Sequence, residues 1–156
     1  MRHHSNKLLF LLTVALAFAS CNRNALYSHY QSVSLNGWQR TDTICFETIP
    51  VTRTGHYSET LGLRVDGDYP FMQLTLIVSQ RAQPSGFQRT DTVYAALTDD
   101  DGTILGEGIN HYLYDLPLPD ADLQQGDTLS VYVHHDMLRN PLPGVADIGF
   151  TLKVVQ

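Results

Sequence analysis

The chain has 156 residues, with ten basic and sixteen acidic side chains and a formal charge of −6. That balance excludes nucleic acid as a partner, because phosphate recognition needs a basic face. The length suits one domain with a substantial core behind a short leader, and the acidity is spread along the chain in the manner of a solubilising surface.

Arg2 and Lys7, with His3 and His4 between them, form a positive segment, and Leu8 to Phe18 follows as a run that is apolar except for Thr13. That is the length of a signal h-region, and it falls short of the roughly 20 apolar residues a membrane-spanning helix needs. Small Ala19 and Ser20 directly precede Cys21, the arrangement a lipoprotein signal peptidase accepts. Residues 1–20 are therefore expected to be a cleaved signal peptide, Cys21 the lipidated N-terminus, 21–25 a polar tether and 26–156 a single domain. Each buried CH₂ contributes about 0.8 kcal/mol and one chain anchors only marginally, so two or three acyl chains of the palmitate kind on Cys21 are expected to give lasting membrane attachment.

Loss of Arg2 and Lys7 leaves eight basic against sixteen acidic side chains in the mature chain. Cys45 becomes the only free cysteine, so an intrachain disulfide is impossible. It sits in an apolar, β-branched run and reads as a partly buried strand thiol rather than a nucleophile.

From Leu26 onward the pattern alternates with period two between turn signals. Ile44, Phe46 and Thr48 share one face of the first clear strand. Tyr57, Leu61, Leu63 and Val65 share one face of the next, opposite Ser58, Thr60, Arg64 and Asp66. Asp66-Gly67-Asp68 supplies a turn, and Met72, Leu74, Leu76 and Val78 point inward from a third strand. Pro84-Ser85-Gly86 makes a loop. Val93, Ala95 and Leu97 lead to the acidic turn Asp99-Asp100-Asp101-Gly102, after which Thr103 to Leu105 and Ile109 to Leu116 form shorter strands that Pro117 and Pro119 stop. Leu129, Val131 and Val133 form another strand, a helical turn is placed within Asp136 to Asn140, and Ile148, Phe150, Leu152 and Val154 alternate at the end. About eight short strands with turns at roughly ten-residue intervals specify an all-β, antiparallel β-sandwich of jelly-roll type.

The pentapeptide Gln39-Arg40-Thr41-Asp42-Thr43 recurs as Gln88-Arg89-Thr90-Asp91-Thr92. The local reading, in which Asp caps a turn and Thr begins a strand, is preferred to an ancestral duplication.

Chemistry is sparse. His134 and His135 are adjacent on a strand and point to opposite faces, so they do not share a metal site. The acidic turn at Asp99 lacks the spacing of a calcium loop. No nucleophile elbow, phosphate loop, dinucleotide fingerprint or metalloprotease helix is present, and the domain reads as non-enzymatic and free of cofactors and metals. Eight tyrosines and one tryptophan invite a carbohydrate-binding alternative, although Tyr27, Trp38, Tyr57 and Tyr69 sit at strand beginnings or turns, where such rings cover a core edge while their polar atoms reach water.

The ordered motifs carry more. Gly37-Trp38 is followed by Asp42-Thr43 and Phe46. Leu63-Arg64 precedes Asp68-Tyr69-Pro70-Phe71, and Asp91-Thr92 runs to Leu97. Gly102, Gly106 and Gly108 come next, then Met137 and Leu142-Pro143-Gly144-Val145 before Asp147-Ile148-Gly149. This series resembles the gliding-motility lipoprotein family GldH over nearly the whole mature chain. Ile104 stands where that family tends to have Trp, and Leu138 precedes Arg139 where it tends to have Arg directly after the Met.

The resemblance implies a membrane-anchored envelope lipoprotein, an accessory or assembly component of gliding machinery or its associated secretion apparatus, with envelope protein partners. Met137, Leu138, Arg139 and Leu142, an apolar and basic segment bracketed by prolines and glycines, are the candidate partner contacts. In bacteria of that kind an acidic cluster after the acylated cysteine accompanies surface export. Here Cys21-Asn22-Arg23-Asn24-Ala25 carries none, so the domain is expected to face the periplasm.

Overall fold

The computed structural model describes residues 25–155. Nine strands, β1 (Ala25–Ser32), β2 (Ile44–Pro50), β3 (Gly55–Asp66), β4 (Gln73–Gln83), β5 (Phe87–Ala96), β6 (Glu107–Gly108), β7 (His111–Leu123), β8 (Thr128–His135) and β9 (Val145–Val154), form two sheets. One has the order β1-β9-β3-β7-β6 and the other β2-β8-β4-β5. Every pairing is antiparallel, and the all-β sandwich expected from the alternation is the fold observed.

The alternation buries the faces it should. Tyr57, Leu61, Leu63 and Val65 of β3, Leu74, Leu76 and Val78 of β4, Leu129, Val131 and Val133 of β8, and Ile148, Phe150 and Leu152 of β9 meet in one core. Phe46 and Phe150 lie with ring centroids 6.0 Å apart across the two sheets, and Tyr27 closes over both.

Several details differ from the sequence reading. In β2 the register slips between Phe46 and Ile49, and Thr48 takes a φ of 58°, a left-handed conformation that β-branched residues resist. The bulge turns Thr48 outward and gives its core place to Ile49. Met72 is not inward; it stands half-exposed in the connection ahead of β4. Thr103 to Leu105 contributes only an isolated bridge between Thr98 and Ile104, and the strand that follows is the two-residue β6.

Pro117 and Pro119 do not stop β7, which runs through both to Leu123. β6 pairs only with Tyr112 and Leu113, so beyond that point β7 is a sheet edge, where a proline's missing N–H costs no ladder bond. Asp136 to Asn140 forms bends and no helix. The recurring pentapeptide takes two conformations: residues 39–43 form a turn before β2, with the Asp42 N–H donating to the Gln39 carbonyl at 2.9 Å, whereas residues 88–92 lie wholly within β5. The turn reading fits the first copy alone.

Both open seams between the sheets are crossed by polar side chains. On the β1/β2 side the Gln31 amide donates to the Cys45 carbonyl. On the β5/β7 side Arg89 donates through Nη1 to the Asp120 carbonyl at 2.9 Å and through Nη2 to Glu59, while its Nε lies 2.7 Å from Asp91 Oδ2. Glu59 occupies the inward face of β3 between Tyr57 and Leu61, a position the sequence reading passed over. It is buried, it accepts a hydrogen bond from Gln80 Nε2 at 2.7 Å, and its Oε1 has no hydrogen-bond partner. Burial raises its pKa, while Gln80 and Arg89 pull it back.

A buried carboxylate deprived of its cation is costly, whereas replacing both partners with apolar groups is often close to neutral. Arg89→Met is therefore expected to destabilise by about 3–5 kcal/mol in denaturant melts, and Glu59→Met with Arg89→Met together by much less. Equal losses in the single and double variants would show that Arg89 acts through packing alone.

Candidate functional site

The long strands run alternately in opposite directions, so the connections divide between two ends. Residues 51–54, 84–86 and 124–127 form short reversals at the end where β1 begins. Residues 33–43, 67–72, 97–110 and 136–144 form long ones at the other, and all four of these pass from one sheet to the other over the end of the core.

The far end is held by backbone pairing between loops. The Trp38 N–H donates to the Leu142 carbonyl at 2.8 Å and the Leu142 N–H returns the bond at 2.9 Å, joining 33–43 to 136–144. The Trp38 indole, buried against His135 in an edge-on contact, donates to the Asp42 carbonyl at 2.9 Å. Arg40 adds a backbone N–H bond to Asn140 Oδ1 and an ion pair with Asp136. At Gly144, where φ is 78°, a Cβ would stand 2.3 Å from the Tyr69 nitrogen. Only glycine lets 67–72 approach so closely. The Leu97 N–H donates to the Met72 carbonyl at 2.8 Å and ties in the fourth connection.

His135 lies at the centre of this arrangement. Its Nε2 is 3.1 Å from the Trp38 carbonyl, and the Met137 N–H reaches its Nδ1 at 3.3 Å. Both contacts are satisfied together by the neutral tautomer that carries its proton on Nε2. Burial pushes the imidazole below its usual pKa, against the pull of the Trp38 hydrogen bond, and Arg40 and His134 add to the lowering.

A cleft of about 470 Å³ opens at this end between residues 33–37 and the stretch from Arg139 to Asp147, with Asp66, Asp68 and His111 on its wall. Asp147 is fixed there by Ser32 Oγ at 2.7 Å and Arg64 Nη1 at 2.9 Å. The carboxylates of Asp66, Asp68 and Asp147, the Arg139 guanidinium and the His111 imidazole make its lining strongly polar. Among the described residues no group of three or more His, Cys, Asp or Glu is placed to hold a metal.

The four candidate contact residues are divided by the fold. Met137 packs partly into the core and its sulfur accepts from the Thr75 N–H at 3.4 Å. Leu138 projects outward at 94% exposure, Arg139 lines the cleft, and Leu142 is fully buried. Cys21 lies outside the described residues. Of the four aromatics read as covering a core edge, Trp38 and Tyr57 are fully buried and present no open ring face to a sugar. The Cys45 thiol is partly buried, and that burial, with Glu47 nearby, raises its pKa, as suits an unreactive strand cysteine. The acidic turn is built on Asp99, whose Oδ1 accepts from the backbone of Asp101 and Thr103, with Gly102 at a φ of 80°.

The profile of the family described as GldH lipoprotein matches residues 25–152, from the first residue of β1 into β9. The chain belongs to the GldH lipoprotein family. It is 26% identical over 150 residues to the Gliding motility lipoprotein GldH of Flavobacterium johnsoniae, covering 92% of this chain and 93% of that one. With the Gliding motility lipoprotein GldH homolog of Christiangramia forsetii it shares 24% identity over 163 residues, at 98% of each. Among solved structures, the CBM22-1 xylan-binding domain of Paenibacillus barcinonensis gives a TM-score of 0.43 at 12% identity, covering 85% of this chain and 96% of that one. A family 35 carbohydrate binding module from Clostridium thermocellum gives 0.43 at 11%, covering 81% and 89%.

The depressed pKa of His135 sets a sign for the GldH-family domain. The fold holds the neutral ring, so the stability it contributes is complete above the usual value near 6.5 and is lost as pH falls toward the lowered pKa. Denaturant melts at pH 7.5 and 5.5 are expected to show a larger acid loss in the native protein than in His135→Gln. His56, whose hydrogen bond to Asp122 raises its pKa and so acts in the opposite sense, is common to both proteins. The same acid loss in both would assign the sensitivity to other groups.

Proposed function

We propose that this GldH-family protein is a non-enzymatic envelope lipoprotein, anchored through acyl chains on Cys21, facing the periplasm and serving as an accessory or assembly component of gliding machinery or its linked secretion apparatus. The observation that carries this reading is the family match, which spans the sandwich from β1 into β9.

The disposition of charge supports the non-enzymatic part. Arg40 is engaged with Asp136, Arg64 with Asp147, His56 with Asp120 and Asp122, and Arg89 with Glu59 and Asp91. These groups hold strands and loops together. The position of Ala25 supports the anchored part: β1 starts at the end with the short reversals, separated from Cys21 by only the three residues Asn22-Arg23-Asn24. A lipid there holds the domain by one end and leaves the other free.

Two measurements test the reading. Cys21→Ser is expected to abolish incorporation of labelled palmitate and membrane retention while leaving the denaturant melt of the domain unchanged. Continued lipid uptake by that variant would move the attachment site elsewhere. Protease added to intact cells is expected to spare the protein until the outer membrane is opened. Digestion in intact cells, with a periplasmic control protein untouched, would place the domain on the cell surface.

A further inference from the structure

The loops at the end away from β1's first residue carry an unequal share of the molecule's exposed apolar surface. Residues 33–43 present Leu35 at 105% exposure, 67–72 present Phe71 and Met72, 97–110 present Leu105 and Ile109, and 136–144 present Leu138 at 94%. Among the described residues the opposite end offers only Val155. Isolated exposed leucines need no explanation on a protein surface, but their collection on one end, with a contribution from each of four separate loops, does.

The same loops are acidic. Asp42, Asp68, Asp99, Asp100, Asp101, Glu107 and Asp136 stand in them against only Arg40 and Arg139, and Arg40 is already paired with Asp136. Acidity of that degree repels the phosphates of an anionic bilayer and repels a second copy of the same end. It is complementary to a protein surface that sets lysine or arginine around apolar side chains.

The surface is also preformed. The bonds between Trp38 and Leu142, between Leu97 and Met72, and the seat of Gly144 on Tyr69 fix the loops before any partner arrives. A surface ordered in advance loses less entropy on association. At about 3.4 Å per residue, β1 sets this end roughly 24 Å from Ala25, on the side away from the attachment point.

We propose that the end of the sandwich formed by residues 33–43, 67–72, 97–110 and 136–144 is a docking surface for an envelope protein whose contact face is basic and apolar, with Leu35, Leu138 and Ile109 as apolar anchors and the Asp99–Asp101 turn and Asp68 as the acidic rim. This rests on the reading of the chain as an anchored partner-binding lipoprotein, and adds which face does the binding and what it binds.

The test uses the full-length lipoprotein in its own cells, with a photo-crosslinking amino acid placed singly at Leu35, Ile109 or Leu138, and in parallel at Thr52, Gln83 or Gln125 at the opposite end. The loop positions are expected to give one discrete protein adduct whose cross-linked peptide contains lysine or arginine beside apolar residues. The opposite positions are expected to give at least ten-fold less. In the Leu138 probe, Asp100→Lys with Asp101→Lys is expected to lower the yield at least five-fold, with the thermal melt unchanged because these carboxylates are exposed.

Adducts to lipid or to a second copy, or a yield indifferent to the charge reversal, would overturn the proposal. Equal protein adducts from both ends would overturn the assigned face and leave the partner-binding reading standing. No protein adduct from any position, in cells where Cys21-dependent acylation is intact, would overturn both.

Discussion

A chain whose long strands run alternately up and down must make every second reversal at the same end. The sandwich begins with β1 at one end, so the first, third, fifth and seventh reversals of its eight long strands fall at the other. The three reversals at the starting end are short, although two of them also pass between the sheets, and the four at the far end are long and span the gap, which face-to-face packing sets at about 10 Å. The position of the cleft, the exposed leucines and the acidic turn follows from that division. The acidic turn is local to one loop, whereas the cleft and the set of exposed leucines draw on several.

Long loops crossing an open core end leave apolar surface and backbone groups to be covered, and here Trp38 provides the cover. Its indole fills the space beside His135, its main chain pairs with Leu142, and its ring N–H satisfies the Asp42 carbonyl. The two lateral seams present the same difficulty in another form, because the rims of two sheets carry unpaired backbone groups that invite further strands. Gln31 and Arg89 each reach across a seam to a backbone carbonyl of the other sheet. Inward charge on β5, the bulge in β2 and the prolines of β7 make those rims poor templates for strand addition. The seams are thus closed to strand addition, and the far end is where the surface stays open and apolar.

Faces governed by a local period were legible. β3, β4, β8 and β9 alternate cleanly because one side of each meets the core, and a period of two is visible without knowing the partner strand. What failed depends on position in the sheet. Pro117 and Pro119 read as stops, yet they lie where β7 has no outer neighbour, and edge position is a property of topology. Glu59 was hidden because a carboxylate breaks an apolar pattern, and only the arrival of Arg89 from the other sheet makes its burial tolerable. The two copies of the pentapeptide diverge for the same reason, since the second is paired along β4 and the first has no strand beside it. At the far end, the contiguous set Met137, Leu138, Arg139 and Leu142 pointed to the right loop but not the right grouping. The fold sends Leu142 inward and brings Leu35 and Ile109, distant in sequence, to the same end as Leu138. The alternation of short and long connections was the signal that could have placed them together.

The proposed lipid on Cys21 and the proposed docking surface at the opposite end would reinforce one another physically. Anchorage confines the domain to a layer above the membrane, which raises its effective concentration for anything assembled in that layer without adding a contact. A modest apolar patch with an acidic rim then suffices, because association there does not have to overcome dilution through a three-dimensional volume. With only three residues between Cys21 and β1, attachment at Cys21 as proposed would hold the far end near the membrane, and the proposed partner would have to present its basic and apolar face at about the height of the sandwich itself. Rigid loops matter under that restriction: an end that had to order itself on contact would surrender much of what confinement contributes, whereas one already closed around Trp38 and His135 does not.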